Sequence, residues 1–257
     1  MKQIGIKQIF FVILVCFVML PNSGCAMQDL SSKWRDHAVQ IDGRDTEWKE
    51  VATYYDNDSH VVMGFINDEN NLYVRFSSSD RNVQSNLLRR GCTVWFNTEG
   101  GKDKTFGIHF PIGIKGRAQG MARQGNERPT KDIIEETLKD SQELVEIIGP
   151  GQDQRSILNM TDAQKIGIEV QIDIQKGFLV YELKVPFDRM TNKPNSIGVD
   201  LLKTISVGFE TEKSKRTATK RDRGQGRGGR GDHSDGRRGG QQPESLEIWI
   251  KVNLSDK

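Results

Sequence analysis

Aromatic and hydrogen-bonding side chains alternate with aliphatic ones in several segments of this sequence, a pattern that could bind a sugar. If the aliphatic residues face a core, the residues between them lie on the opposite, outward face. Sugar recognition uses flat aromatic rings against C–H faces, surrounded by groups that hydrogen-bond hydroxyls. The candidate carbohydrate-binding residues on this face are Tyr73, Arg75, Trp95, His109, Glu182, Trp249 and Lys251, with Lys184 beside them.

The tryptophans have a second interpretation, which the sequence leaves open. Trp95 and Trp249 could instead pack across neighbouring strands or beneath residues 111–160. Trp48 follows a turn-forming segment closely and is predicted to plug the core rather than bind a ligand.

Patterns for metal binding and catalysis are sparse. Asp56-Asn57-Asp58 and Asn67-Asp68 supply clustered oxygens of the kind that calcium prefers, but such turns are common without metal. The four histidines lack zinc-ligand spacing, and no Gly-x-Ser-x-Gly, phosphate-binding loop or His-Glu-x-x-His occurs. Glycoside hydrolysis needs two carboxylates at a defined separation, which a sequence does not reveal. We therefore expect a non-catalytic protein without a cofactor, with calcium as the alternative.

The N-terminus predicts export. Residues 9–20 form an unbroken apolar run after Lys2 and Lys7, as in a secretory signal. This run is short for a membrane span, which takes about 20 residues, so a transmembrane anchor is the less favoured alternative. Ser-Gly-Cys is similar to the lipobox of bacterial lipoproteins, which implies lipid attachment at Cys25; cleavage after Ala26, giving a soluble exported protein, is the alternative.

Period-two alternation predicts an all-β fold. With one cysteine, Cys92, outside the predicted signal and lipid site, no internal disulfide can form, so a hydrophobic core must hold the fold. Short strands joined by turns indicate an antiparallel β-sandwich of immunoglobulin-like or jelly-roll type. Helices are predicted over 130–139 and 160–165, and residues 144–148 are ambiguous. The predicted strands cover 61–65, 72–76, 92–96, 106–110, 166–174, 179–185, 205–209 and 246–254.

Residues 213–243 differ from the rest of the chain. They contain no Val, Ile, Leu, Met, Phe, Trp or Tyr and carry ten basic and three acidic residues, against a net charge of +2 for the whole chain. Such a segment is expected to be disordered. It is predicted either to be a solvated loop or to attract anionic envelope components, and no nucleic acid is expected because the protein is exported. Its arginines are Arg216, Arg221, Arg223, Arg227, Arg230, Arg237 and Arg238.

Several short motifs occur in an order that resembles carbohydrate-binding module family 9. The motifs are Ile41-Asp42-Gly43 followed by Trp48, the Asn-Asp-x-x-x-Leu-Tyr-Val segment 67–74, Ser79-Asp80, the glycine-containing turn within 93–101, and the strand 179–186. The resemblance implies a β-sandwich that binds soluble or chain-end sugars without chemistry. The Arg/Gly-rich segment is no part of the family pattern.

Together these features predict a signal peptide over 1–25 ending at Cys25, a linker over 26–38 and a β-sandwich over 39–257. The expected function is carbohydrate binding in the bacterial cell envelope, at the outer membrane or the periplasmic face. The alternative is an envelope interaction or scaffold lipoprotein that contacts anionic glycolipid or polysaccharide through its basic loop, and a glycoside hydrolase ranks third.

Overall fold

The computed structural model describes residues 27–112, 142–149, 154–187, 195–199, 203–212 and 245–257. These residues form mainly strands, with two short helices, α1 (Arg81–Arg90) and α2 (Met160–Lys165). The strands are β1 (Gln28–Ser31), β2 (Lys33–Trp34), β3 (Thr53–Asp56), β4 (Val61–Asn67), β5 (Asn71–Ser78), β6 (Cys92–Asn97), β7 (Phe106–Phe110), β8 (Leu144–Ile148), β9 (Arg155–Asn159), β10 (Glu169–Gln175), β11 (Phe178–Pro186), β12 (Thr204–Thr211) and β13 (Glu247–Asn253).

The strands form two sheets. The seven-stranded sheet has the order β1-β13-β12-β6-β7-β8-β9, and the six-stranded sheet has the order β10-β11-β5-β4-β2, with β3 also paired to β4. Most neighbours are antiparallel, but β1 pairs with β13 and β2 with β4 in parallel. The predicted all-β sandwich is confirmed, with the correction that both sheets are mixed rather than purely antiparallel.

One hydrophobic core lies between the two sheets. Phe76 of the six-stranded sheet stacks on Phe209 of the seven-stranded sheet, with ring centroids 5.3 Å apart. Phe110 and Tyr181 make a second contact between the sheets, at 6.2 Å. Alternate residues of both sheets fill this core, and each fully buried aliphatic or aromatic side chain contributes about 1.5–3 kcal/mol. The remaining residues of each strand point away from the core, so the two outward faces lie on opposite sides of the sandwich.

Most of the predicted strands and hairpins are present. The β4–β5 and β6–β7 pairs are antiparallel hairpins, and β10–β11 and β12–β13 pair as adjacent strands. The ambiguous segment 144–148 is strand β8, and the predicted short helix at 160–165 is α2. Ile166 and Gly167 form a turn, so β10 begins at Glu169, later than the alternation predicted.

Helix α1 was not predicted, although its ends are encoded locally. The side chain of Asp80 accepts hydrogen bonds from the backbone N–H groups of Asn82 and Val83, as an N-cap does. Gly91 at the C-terminal end has a φ of 78°, which favours glycine. The helix buries mainly Leu87 and Leu88, an apolar stripe too short to show helical periodicity in the sequence.

The predicted linker 26–38 needs correction, because residues 28–34 form β1 and β2. The chain passes from the seven-stranded to the six-stranded sheet at Ser32, whose N–H donates to the carbonyl of Asn253 at 3.0 Å. Its Oγ donates to Oδ1 of Asn67 at 2.5 Å. Both strands are held by backbone pairing and carry few apolar residues, so the hydrophobic pattern did not reveal them.

Several predictions fall outside the described residues: the signal segment 1–25 with Cys25, the helix at 130–139 and the Arg/Gly-rich segment 213–243. Within the described ranges, neither helix has the length and apolar character that crossing a membrane requires.

Candidate functional site

The seven candidate residues divide between the two outward faces. Tyr73, Arg75 and Glu182, with Lys184, belong to the six-stranded sheet. Trp95, His109, Trp249 and Lys251 belong to the seven-stranded sheet. The single face expected from the sequence is therefore corrected to two faces, because alternation shows which residues face outward but not which sheet each strand joins.

The outward face of the six-stranded sheet is closed by the segment before β3. Trp48 is 2% exposed and packs with Val51, Ile66 and Tyr73 in a cluster separate from the main core. The indole Nε1 of Trp48 donates to Oε1 of Glu182 at 2.6 Å. Trp48 is thus buried, as predicted, but it packs on the outward face of this sheet and not in the core between the two sheets.

The same carboxylate also holds the turn that precedes Trp48. The backbone N–H groups of Asp42 and Gly43 donate to Oε2 of Glu182 at 2.9 and 2.7 Å. Gly43 has a φ of 76°, and a Cβ there would lie 2.7 Å from Cβ and 2.8 Å from the backbone N of Asp173 on β10. The Ile-Asp-Gly turn and the Trp, which carried the family resemblance, therefore fasten a covering segment to the sheet through Glu182.

Burial sets the charge state of this cluster. Glu182 is fully buried, which raises its pKa to about 7 although its three N–H donors favour the ionised form. Arg75 lies directly opposite Glu182 on β5 and pairs with Asp45 through Nη2 at 2.5 Å. Burial lowers the pKa of Arg75, and its Nε has no hydrogen-bond partner within the described residues.

Tyr73 is also engaged in structural contacts. Its hydroxyl donates to Oδ2 of Asp68 at 2.9 Å and accepts a bond from Nη1 of Arg35 at 3.0 Å. Burial and the neighbouring Asp68 carboxylate raise the pKa of Tyr73, so the hydroxyl keeps its proton. Tyr73, Arg75 and Glu182 therefore hold the fold together and do not form an open binding surface.

The outward face of the seven-stranded sheet carries a row of aromatic and small residues across the strands. The pairing register places Gly208 directly between Trp249 and Trp95, and Trp95 directly beside Gly107. A Cβ at Gly107 would lie 2.7 Å from Cε3 of Trp95, and one at Gly208 would lie 2.7 Å from Cε2 of Trp249. Each indole therefore lies against the backbone of a neighbouring glycine. The complete series, called here the aromatic row, is Trp249, Gly208, Trp95, Gly107, Ile148 and Arg155.

Hydrogen-bonding side chains flank the aromatic row. Oε2 of Glu210 accepts bonds from Nε1 of Trp95 at 2.9 Å and Nζ of Lys104 at 2.7 Å. Nζ of Lys104 also lies 5.9 Å from the centroid of the Trp95 ring. The next row in register, called here the polar row, is Glu247, Glu210, Thr93, His109, Glu146 and Ile157.

The two other candidate residues of this face have different surroundings. His109 is 5% exposed, and its Nδ1 lies 2.9 Å from Oγ1 of Thr93. Lys251 is half-buried and pairs in register with Ser206, on the opposite side of the aromatic row from the polar row. Lys104 and Glu210 were not predicted as site residues, since a loop lysine and a strand glutamate carry no sequence pattern that identifies them.

The aromatic row is covered in this structure. Trp95 and Trp249 are 5% and 8% exposed, and both pack with Ile148. Met27, immediately before β1, is half-buried against this cluster, and Oγ of Ser206 donates to its Sδ at 3.9 Å. This is the packing across neighbouring strands that the sequence left open, and it leaves little of either indole exposed to solvent.

Among the described residues, one group of acidic side chains is close enough together to hold a metal ion. Asp42, Glu47 and Glu182 bring carboxylate oxygens within 4.8 Å of one another. Glu182, however, already accepts three N–H bonds and lies opposite Arg75 on the neighbouring strand, surroundings that suit a carboxylate holding a turn and do not fit a cation.

The clustered oxygens suggested for calcium also serve the fold. Oδ2 of Asp56 accepts the N–H of Ser59 at 2.9 Å, and Oδ1 of Asp68 accepts those of Asn70 and Asn71 at 2.8 and 2.7 Å. These are side chain-to-backbone turns of the usual Asx type. Calcium binding at these turns stays a prediction.

No protein-family model and no curated protein matches the sequence. Among solved structures, the chain is similar to a carbohydrate binding module of family 9 from Caldicellulosiruptor kristjanssonii in complex with glucose. The identity is 8%, the match covers 90% of this chain and 96% of that chain, and the TM-score is 0.40. The match to such a module from the same organism in complex with cellotriose has 8% identity, covers 90% and 94% of the two chains and has a TM-score of 0.38. These structures belong to the family whose motif order the sequence resembles, and the β-sandwich assignment follows from the two sheets themselves.

Proposed function

We propose that this chain is a non-catalytic carbohydrate-binding protein whose ligand lies on the outward face of the seven-stranded sheet. The observation that carries the proposal is the aromatic row, in which Trp95 and Trp249 each lie against a glycine of the adjacent strand. A ring that lies against the sheet backbone presents its other face outward. Sugar rings stack on such faces through their C–H groups.

The spacing of the rings suits a ligand longer than one sugar. Trp95 and Trp249 both pair with Gly208, so one strand separates them. With neighbouring strands about 4.8 Å apart, their Cα atoms are about 10 Å apart. A short chain of sugars crossing the strands would contact both rings.

The polar row supplies the hydroxyl contacts. A carboxylate such as that of Glu210 accepts bonds from sugar hydroxyls, and an ammonium such as that of Lys104 donates to them. On the same face Nη1 of Arg155 donates to Oε1 of Glu146 at 3.1 Å. These charges are paired, which suits an uncharged glycan better than an anionic one.

Binding to a glycan array followed by calorimetry tests the proposal. The protein is expressed with its own signal segment, purified and screened at physiological salt, and the best glycan is titrated into each variant. We expect Trp95→Ala and Trp249→Ala to reduce the affinity by at least tenfold, as loss of a stacking ring does. Circular dichroism must show that both variants are folded.

Phe178→Ala is the matched control, since Phe178 is 54% exposed and lies on the six-stranded sheet. Its affinity should equal that of the wild type. Loss of binding in Phe178→Ala with normal binding in both tryptophan variants would place the site on the other sheet, and no binding to any glycan would refute the function.

The proposal extends to the location of the protein, for which the N-terminal sequence pattern is the support. The chain would be exported and anchored to the envelope membrane by lipid on Cys25. Growth with radiolabelled palmitate should label the wild type and Cys92→Ser but not Cys25→Ser. Labelling of Cys25→Ser would contradict the anchor.

A further inference from the structure

The cover over the aromatic row belongs to the N-terminal end of the described chain. Met27 packs against the cluster formed by Trp95, Ile148 and Trp249, and its Sδ accepts a bond from Oγ of Ser206. We propose that Met27, carried by β1, is a removable cover that regulates access to the carbohydrate site. This inference rests on the proposed function, because it assigns the same rings to two alternative occupants.

One end of β1 is firmly attached. The N–H of Ser32, directly after β1, donates to the carbonyl of Asn253, and its Oγ donates to Asn67 and accepts the N–H of Ser255 at 3.0 Å. Ser255 Oγ donates in turn to the carbonyl of Ser32. Ser32 is 4% exposed, so these bonds are shielded from water and fix this end of the strand.

The other end of β1 has much weaker support. Gln28 and Asp29 are exposed, and the strand has four residues with a single apolar one, Leu30, packed against the core. Within the described residues β1 is the edge of its sheet and pairs only with β13, in parallel. Short edge segments with few buried contacts open locally at a lower free energy than the whole domain. Motion of β1 about Ser32 would therefore carry Met27 off the rings while the sandwich stays folded.

Met27 suits a temporary occupant. Its thioether side chain is flexible and adapts to the surface of an aromatic ring, with weak and nondirectional contacts. A sugar on the same rings would in addition hydrogen-bond the polar row, which the thioether does not do. Because sugar and Met27 would compete for the same rings, the observed association constant equals the intrinsic one multiplied by the fraction of molecules whose rings are uncovered.

A measurement without ligand tests the cover alone. Quenching of tryptophan fluorescence by acrylamide is compared in the full chain carrying Met27→Ala or Met27→Leu. We expect a larger quenchable fraction in Met27→Ala and wild-type behaviour in Met27→Leu, which keeps the volume. The increase in the quenchable fraction should be smaller when Met27→Ala is combined with Trp249→Phe, because one of the uncovered indoles is then missing. Unchanged quenching in Met27→Ala would overturn the inference.

A second measurement uses the best glycan from the array. Met27→Ala should bind it about tenfold more tightly than the wild type, as expected if about one molecule in ten is uncovered at rest, and Met27→Leu should match the wild type. Hydrogen exchange should show that the glycan accelerates exchange at residues 28–31 and slows it on β12.

The outcomes separate the two proposals. If the glycan binds all three proteins equally, through Trp95 and Trp249, the proposed function stands and the cover is overturned. If quenching rises in Met27→Ala but no protein binds any glycan, Met27 shields the rings without regulating a sugar site, and both proposals fail.

Discussion

The two outward faces of the sandwich are both covered, but by different means. The six-stranded sheet is covered by the segment that contains Trp48, which three N–H donors fasten to the buried carboxylate of Glu182. The seven-stranded sheet carries Trp95 and Trp249. Among the described residues, Met27 packs against their cluster and accepts one long hydrogen bond from Ser206, and Nζ of Lys104 lies over the Trp95 ring.

This difference distinguishes a structural tryptophan from a candidate binding tryptophan. Removing the cover of the six-stranded sheet would break three hydrogen bonds to the carboxylate of Glu182 and expose the apolar cluster of Trp48, which is costly. Removing Met27 would expose aromatic surface and would leave no buried charge without a partner. We therefore expect the first cover to remain closed in the folded protein and the second to open.

The largest expected effect comes from adding a methyl group at one glycine on each face, Gly43 in the covering segment and Gly208 beneath the Trp249 ring. Gly43→Ala meets a left-handed backbone, costing about 1–2 kcal/mol, and a collision with the backbone of β10. We expect a total loss of more than about 3 kcal/mol of unfolding free energy in urea titrations. In Gly208→Ala the nearest atoms to the added methyl group belong to the Trp249 ring, a side chain that can shift, so this variant should cost about 1–2 kcal/mol. Equal losses of unfolding free energy in Gly43→Ala and Gly208→Ala would contradict the expectation that the two covers differ in strength.

The pH dependence of stability should differ between the faces. Burial raises the pKa of Glu182 from 4.5 to about 7, so between these values the folded protein keeps a proton that the unfolded chain loses. The contribution of Glu182 to stability is therefore complete below about pH 4.5 and falls as the pH rises to about 7, by at most roughly 3 kcal/mol.

Unfolding curves at several pH values check this expectation. The stability of the wild type relative to Glu182→Gln should fall across that range, because the side-chain amide of the variant does not titrate. The stability of the wild type relative to Trp249→Phe should stay constant. A constant difference between wild type and Glu182→Gln would show that the carboxylate titrates normally.

A smaller effect is expected when each indole loses its N–H. Trp48→Phe leaves Oε1 of Glu182 without its donor and should cost about 2 kcal/mol. Trp249 makes no hydrogen bond through its indole within the described residues, so Trp249→Phe should cost about 1 kcal/mol or less. Thermal unfolding of both variants at one pH measures the comparison, and a larger loss for Trp249→Phe would reverse it.

The smallest effect should come from two partly exposed ion pairs, one on each sheet. Lys184 pairs with Glu169 at 2.7 Å on the six-stranded sheet, and Arg155 with Glu146 at 3.1 Å on the seven-stranded sheet. Lys184→Gln and Arg155→Gln should each change the unfolding free energy by less than about 1 kcal/mol. A clearly larger change in one of them would mean that surface charge, and not burial, distinguishes the faces.

Local patterns predicted much of the sandwich and only part of the site. The β4–β5 and β6–β7 hairpins followed from alternation and polar turns, since both partners are close in sequence. Strand β1 was missed because its pairing with β13 joins the two ends of the chain by backbone bonds, which leave no hydrophobic pattern. The position of β1 beside β13 also brings Met27 against the two tryptophans, a contact that the residue type alone does not suggest.

The sequence by itself determined which residues face outward, because the side-chain period of a strand is two whatever its partners are. It therefore placed Trp95, Trp249, Tyr73, Arg75 and Glu182 correctly on outward faces. The tertiary structure decided which of them share a surface, because the order of strands in a sheet depends on pairings between distant segments. It also decided that the cover of one outward face is fastened through a buried carboxylate, while on the other face, within the described part of the chain, Met27 packs against the two tryptophans and Ile148.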